Sequence, residues 1–265
     1  MRILVVSDLH GNWPALEAVA AVPHDAVVCL GDIVGYGPQP GECLRWLRAN
    51  RAEIVQGNHD RALADDVPPG CRPDFEWLAE ATRHIARCQL TDDETAFLRS
   101  LPRTRSLVLG GKRVVLLHAA PEDPLHSYIG PDPDKWRTAV ANVEADFVLV
   151  GHTHLPFHFQ FGDLHVLNPG SLGQPKDGDP RAAYAVIEDG APRLERASYP
   201  VERTIEGLDA AEIGPAAAEV LAELLRTGRV SPATARGGRN GEVSRGRATR
   251  ARDGRESRRG RVGRP

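Results

Sequence analysis

Apolar and polar positions along this chain fall into two regimes. In the first, short runs that are apolar at nearly every position alternate with stretches of helical spacing. Residues 2–7 (RILVVS) read as a buried strand, and residues 12–22 (NWPALEAVAAV) as a helix with Asn12 as its N-cap and Pro14 in its first turn. Residues 25–32 (DAVVCLGD) form a second buried strand, followed by the Gly/Pro-rich loop GYGPQP and a helix over about 40–50. A third short strand, EIVQ, ends at Gly57-Asn58-His59-Asp60.

Residues 61–100 differ. PPGCRP marks a loop, the next stretch predicts a helix capped by Asp74, and TDDE from Thr91 is a capping box opening another. Together they predict a small helical insertion. Beyond it the pattern turns to hairpins: SLVL and RVVLLH around Gly110-Gly111, residues 157–168 around Gly162-Asp163, and two strands around Asp189-Gly190. A buried strand, DFVLVGH, lies among them, and an amphipathic helix near 215–226 closes the pattern. Early strand–helix alternation with late hairpins predicts a mixed α/β fold of two packed sheets with helices outside. There is no internal repeat.

A chain of 265 residues, 41% hydrophobic, can bury one full core and still carry a tail. No apolar stretch approaches the ~18 residues of a membrane span, and the opening run is too short for a signal peptide, which predicts a cytoplasmic protein without membrane contact. Cys29, Cys43, Cys71 and Cys88 are widely spaced and predict reduced, mostly buried thiols. The net charge of −3 hides an asymmetry: residues 229–265 hold twelve Arg against Glu242, Asp253 and Glu256, a balance of +9, which leaves −12 on residues 1–228. That segment has few large aliphatic residues to offset ordering entropy, so a folded domain over 1–228 and a disordered Arg/Gly-rich tail over 229–265 are expected. Such a tail can contact RNA phosphates, but it has no aromatic residue to stack bases, and a solvated extension is the reading preferred here.

The chemistry gathers at strand ends. Asp8 and His10 in SDLH, Asp32 in LGD, Asn58 in GNHD, His118 after VVLL, and His152 and His154 in GHTH are seven oxygen and nitrogen donors without a thiolate. They suffice for two divalent ions if one carboxylate is shared. Asp32 is the natural bridge, each of its oxygens facing one ion. A D-x-H pair or a G-D alone is weak, since a short carboxylate is also a common helix cap. GNHD is more specific, because it joins the Asn58 carbonyl to His59, a positioned donor whose ring Asp60 can orient. His24, His84, His126, His158 and His165 fall outside these signatures and are expected at the surface or half-buried, with His126 placed to line a pocket. The ligand set suits Mn²⁺, with Fe²⁺, Zn²⁺, Co²⁺ or Ni²⁺ as alternatives.

In this order the signatures resemble the calcineurin-like metallophosphoesterase superfamily, with its pattern D-x-H, G-D, G-N-H-D/E, H and G-H-x-H. GDIVGYGPQP, LTDDETAFLRSLP and LNPGSLGQPKDGDPRA are similar to its compact prokaryotic phosphodiesterase branch of YfcE-type enzymes. The resemblance implies a four-layer α/β/β/α sandwich. It implies one ion on Asp8, His10, Asp32 and His154, a second on Asp32, Asn58, His118 and His152, and His59 and Asp60 as catalytic residues. Hydrolysis would proceed by hydroxide attack on phosphorus, with His59 serving the leaving group and Asp60 setting its tautomer. A phosphodiester, including a nucleotide, is the first substrate choice, with phosphomonoesters, dinucleoside tetraphosphates and phosphoproteins as alternatives. A non-catalytic scaffold of the same fold is the alternative of another class, and it should lack some of these residues. Two departures stand out: Ala119 follows His118 where Gly is common, and Gly35 occupies the position of a tyrosinate ligand. The NPGS turn at 168–171 is read either as a support beneath the ions or as a substrate contact. Nothing in the sequence fixes the oligomeric state.

Overall fold

The structure is a computed structural model that describes residues 1–230. Ten strands, β1 (Arg2–Val6), β2 (Ala26–Cys29), β3 (Glu53–Ile54), β4 (Thr104–Leu109), β5 (Lys112–Leu117), β6 (Phe147–Leu149), β7 (Phe157–Phe161), β8 (Leu164–Asn168), β9 (Ala182–Glu188) and β10 (Ala191–Ala197), form two five-stranded sheets. The first runs β10-β9-β1-β2-β3 and the second β4-β5-β6-β8-β7. Each is mixed: β1, β2 and β3 are parallel, as are β5, β6 and β8, and the predicted hairpins supply the antiparallel edges.

The alternation of side chains explains why the early strands read as continuous apolar runs. Ile3 and Val5 of β1, with Val28 of β2, face Val114, Leu116, Phe147 and Leu149 of the other sheet in one dry core. Leu4, Val6, Val27 and Cys29 point the other way, onto Leu16 and Val19 of α1 (Trp13–Ala20) and Leu44 and Leu47 of α2 (Pro40–Ala49). With both faces covered there is no polar side to alternate with. The far face of the second sheet is covered more thinly, by Trp136 of the short α6 (Pro133–Ala139). Helix, sheet, sheet and helix make the four layers, as the resemblance implied.

Local chemistry sets the helix starts. Asn12 caps α1 by accepting from the Ala15 N–H, and Thr91 and Glu94 close a reciprocal capping box on α5 (Asp92–Ser100). Two elements differ from expectation. Helix α3 (Asn58–Asp65) begins on the GNHD signature itself, so Asn58, His59 and Asp60 occupy its first turn. Helix α4 (Pro73–Gln89) has Arg72 at its N-cap position; the Asp74 side chain, expected to cap it, lies outside the described residues. Helix α4 packs Leu78, Ala79 and Ile85 against Ile205 and Leu208 of α7 (Val201–Ala210) and Val220 and Leu221 of α8 (Pro215–Thr227), and Tyr36 joins this cluster. The insertion is thereby tied to the C-terminal helices rather than standing apart. Arg229 bonds back to Thr227 through both backbone groups, and Val230 packs on the same cluster. The tail expected from 229 onward lies, beyond Val230, outside the described residues.

All four cysteines are free; Cys29 and Cys43 are buried, Cys71 half-buried and Cys88 exposed, so half of them, rather than most, are fully enclosed. Among the described residues no helix is long and apolar enough to cross a membrane.

Candidate metal centre

Each signature follows the carboxyl end of a parallel strand, β1, β2 and β3 of one sheet and β5 and β6 of the other, so packing the sheets brings five chain segments to one rim. To aim inward there, the backbone must leave extended geometry. Asp8, His10, Asp32, His152 and His154 all take positive φ, between 47° and 66°. Such conformations cost roughly 1–3 kcal/mol apiece and persist where the surroundings impose them. The glycines of the signatures serve close approach: a Cβ at Gly57 would overlap Asp32 Oδ1, and one at Gly151 would overlap Ser7 Oγ.

Two groups of donors result, Asp8 with His10 and His154, and Asp32 with His118 and His152. Backbone carbonyls orient three of the imidazoles. His10 Nδ1 faces Val34 O at 3.2 Å, His118 Nδ1 faces Leu30 O at 2.7 Å, and His154 Nδ1 faces Gln174 O at 2.6 Å. With Nδ1–H donating, each Nε2 presents a lone pair. Yet His10 Nε2 and His154 Nε2 lie 3.1 Å apart, and His154 Nε2 lies 3.3 Å from Asp8 Oδ1. Asp8 Oδ2 accepts from Ser7 Oγ at 2.6 Å and from the His152 N–H at 3.1 Å, whereas buried Oδ1 receives no hydrogen bond.

The second group repeats this. Asn58 donates its amide to Pro69 O at 2.9 Å, which turns Oδ1 toward His118 Nε2 at 3.0 Å and His152 Nδ1 at 3.1 Å. His152 therefore offers Nδ1 where the other three offer Nε2. In the first group acceptors converge on acceptors, which is repulsive unless a cation lies between them, and the second brings the same kinds of donor atom together, so the residues fit a pair of metal ions.

Asp32 stands between the groups, differently from expectation. Its Oδ1 accepts the His59 backbone N–H at 2.9 Å, which leaves Oδ2 alone to face both, at 3.3 Å from His118 Nε2 and 3.9 Å from His10 Nε2. Asp60 also differs. Its carboxylate accepts the backbone N–H groups of Ile33 at 2.9 Å, Val34 at 3.2 Å and Gly57 at 3.0 Å, and none of its bonds goes to the His59 ring. It ties the Asp32 loop to the start of α3.

Electrostatics follow from burial and crowding. Burial works against the Asp8 carboxylate, but the His154 and His118 imidazoles outweigh it and hold Asp8 well below the usual range; His118, His59 and His10 do the same for Asp32. Burial lowers His152 to about 3 and His59 to about 4. His118 rises to about 9 because Asp32 overcomes its burial.

The rest of the rim is structural or lines an open cavity of about 430 Å³. The NPGS turn supports from beneath: Asn168 donates to Gly151 O at 2.7 Å and Ser171 Oγ to Asp8 O at 2.8 Å, both side chains fully buried. Gly35 makes room, since a Cβ there would press on the His59 ring. Tyr36, one residue on, packs against His10 and His59, and burial keeps its hydroxyl protonated. Ala119 donates its backbone N–H to Pro124 O, away from the donors. His126 contacts Arg61 and Gly70 rather than the cavity, and the other unassigned histidines are exposed or half-buried. The cavity is lined instead by Tyr36, Cys71, Arg72, Phe75, Tyr128 and Lys176 beside the donors. Sequence reading did not assign these to the site; the one available signal was Lys176 within the QPKDGDP stretch.

A two-sheet α/β sandwich carrying clustered imidazoles and carboxylates on its strand-end rim defines a metal-binding α/β protein of the phosphoesterase kind. Residues 1–190 match the calcineurin-like phosphoesterase superfamily domain, and the chain belongs to that superfamily. It is 32% identical over 230 residues to an uncharacterized protein of Methanocaldococcus jannaschii, covering 77% of this chain and 90% of that one. To the phosphodiesterase YfcE of Escherichia coli K12 it is 26% identical over 196 residues, 71% of this chain and 88% of that enzyme. A crystal structure of a metallophosphoesterase from Sphaerobacter thermophilus superposes with a TM-score of 0.71 at 30% identity, covering 86% of this chain and all of that one.

Proposed function

We propose that the chain is a dinuclear-metal-dependent phosphoesterase whose preferred substrates are phosphodiesters. The observation that carries this reading is the convergence of carboxylate, amide and imidazole donor atoms, with the orphaned Asp8 Oδ1 among them. One ion would be held by Asp8, His10, Asp32 and His154, the other by Asp32, Asn58, His118 and His152. Two such ions lower the pKa of a shared water and offset charge on the phosphoryl oxygens.

The protein's own groups do the rest. Ser7 and the His152 N–H fix Asp8, the Asn58 amide is pinned by Pro69, and carbonyls hold the imidazole tautomers, so the donors need no reorganisation. His59 packs edge-on to His10, and its ring lines the cavity with no hydrogen-bonding side chain turned to it among the described residues. It is thus placed to donate to the leaving oxygen. Asp60 acts on it only indirectly, by holding the α3 start. The cavity beside the donors opens to solvent, so a second ester arm need not be enclosed, and the similarity to YfcE favours a diester. Mixed nitrogen and oxygen donors without thiolate suit Mn²⁺, Fe²⁺, Zn²⁺, Co²⁺ or Ni²⁺, and Mn²⁺ is the ion chosen here.

The test is a metal-stripped preparation restored ion by ion and assayed on bis(p-nitrophenyl) phosphate, p-nitrophenyl phosphate, a cyclic nucleotide and a dinucleoside tetraphosphate. Mn²⁺ should restore activity, with kcat/KM for the diester about tenfold or more above that for the monoester. The reverse ranking would make it a monoesterase, and no hydrolysis with any ion would overturn the reading.

A further inference from the structure

The two donor groups are supported from different parts of the chain. Around Asp32, His118 and His152 the orienting bonds come from the end of β2, from α3 and from the loop after it: Leu30 O holds His118, the His59 N–H holds Asp32, and Pro69 O holds Asn58. Around Asp8, His10 and His154 the support is the turn at 171–174. Ser171 Oγ and the Gly173 N–H both donate to Asp8 O, at 2.8 Å and 3.1 Å, and Gln174 O accepts from His154 Nδ1. The peptide between Gly173 and Gln174 is gripped at both ends, its N–H donating to Ser171 Oγ at 2.8 Å and its oxygen accepting from Asn12 Nδ2 at 2.8 Å. Asn12 in turn connects this turn to the C-terminal helices. Its Nδ2 also donates to Tyr199 Oη at 3.1 Å, and its Oδ1 accepts from the Ala15 N–H at 3.2 Å and from Thr204 Oγ1 of α7 at 2.8 Å. An amide whose oxygen is claimed by two donors keeps the orientation that aims Nδ2 at Gly173 O. Asn12, Thr204 and Gln174 are each no more than 2% exposed, so water does not compete for these bonds. A second contact runs in parallel: Tyr36 packs with Leu208 of α7 and with Leu221 and Leu225 of α8, and its ring lies edge-on to His10 at 4.9 Å.

We propose that Thr204 is a positioning residue for one metal ion only: through Asn12 and the 171–174 turn it sets the affinity of the Asp8–His10–His154 group, so that α7 and α8, which lie beyond the matched residues 1–190, govern one half of the centre and not the other. This rests on the assignment of ligands in the phosphoesterase reading. A ligand binds tightly when it is held where the ion needs it, and its outer partners do the holding. Without the Thr204 hydroxyl the Asn12 amide is freed on one side, and the 173–174 peptide can tilt. That tilt carries Gln174 O off the His154 ring and the Gly173 N–H off Asp8 O, which loosens two ligands of the same ion. None of the orienting bonds named for the other group reaches α7 or α8.

The experiment titrates Mn²⁺ calorimetrically into the metal-stripped full chain in two backgrounds, His152→Ala, which retains the Asp8–His10–His154 group, and His10→Ala, which retains Asp32, His118 and His152. Thr204→Val should weaken binding about tenfold in the first background and less than about twofold in the second, and Thr204→Ser, which keeps the hydroxyl, should restore it. Asn12→Ser, which still caps α1 but cannot reach Gly173 O, should lose at least as much, again in the first background alone. Without metal, the imidazole N–H resonance of His154 should shift in Thr204→Val while that of His118 stays in place. Equal weakening in both backgrounds, or none in either, would overturn the proposal, and so would an unmoved His154 resonance. If neither background binds Mn²⁺, the ligand assignment of the phosphoesterase reading fails, and the two resonances alone decide whether Thr204 positions His154.

Discussion

At the scale of single residues, the centre is defined by how each donor's second atom is spent. Asp8 uses Oδ2 on Ser7 and His152 and keeps Oδ1; Asp32 uses Oδ1 on the His59 N–H and keeps Oδ2; Asn58 uses its amide on Pro69 and keeps its oxygen. Asp60 spends everything on backbone, which separates a positioning role from a catalytic one. Asp60→Asn should cost about 1–3 kcal/mol in urea unfolding, because one of its acceptor atoms becomes a donor facing buried N–H groups. The fraction that is folded should keep a near-wild-type pH profile. A shifted profile at unchanged stability would instead mean that Asp60 tunes His59. Sequence signatures could name the seven residues that the fold gathers on this rim, since strand-end D-x-H, G-D, G-N-H-D, a lone His and G-H-x-H are local patterns. They could not reveal which oxygen of Asp32 is free, because that depends on a backbone N–H 27 residues away.

At the scale of elements, the strands were legible because both faces of β1 and β2 are buried, and the hairpins because Gly-Gly, Gly-Asp and Asp-Gly mark their turns. Three helices were not. In α3 the buried residues include Asn58, His59 and Asp60, so polar side chains occupy the face where periodicity looks for apolar ones. Helix α6 buries only Trp136, too little for a period, and α7 spaces Thr204, Ile205 and Leu208 in a stretch directly continuous with the last hairpin. Helix α5 was legible because its capping box is local. The same box ties α5 to α2, since Glu94 also accepts from Arg45 Nη1 at 3.1 Å. Thr91→Ala should therefore destabilise the fold by about 1 kcal/mol in urea unfolding without altering metal content or kcat, because no residue of α5 lines the cavity. A fall in kcat at full metal occupancy would show that α5 positions His59.

At the scale of the whole molecule, the question is where the catalytic unit ends. Composition places the change at residue 229, where the balance of +9 begins against −12 before it. Packing extends two residues further. Thr227 Oγ1 bonds both backbone groups of Arg229, the Gly178 N–H donates to Gly228 O, and Val230 packs on the cluster of α4, α7 and α8. Composition missed this because an Arg and a Val at a boundary look the same on either side of it. The segment matters to the centre, since the turn at Gly178 follows directly on Lys176 and Asp177. We therefore propose that the unit runs to Val230, and two truncations separate the boundaries. A chain ending at Val230 should keep its metal content, its kcat and KM on bis(p-nitrophenyl) phosphate, and its unfolding midpoint. A chain ending at Gly228 should lose about 1–2 kcal/mol of stability through the missing hydrogen bonds and apolar contact. A large loss of kcat on cutting after Val230 would place part of the catalytic unit in residues 231–265.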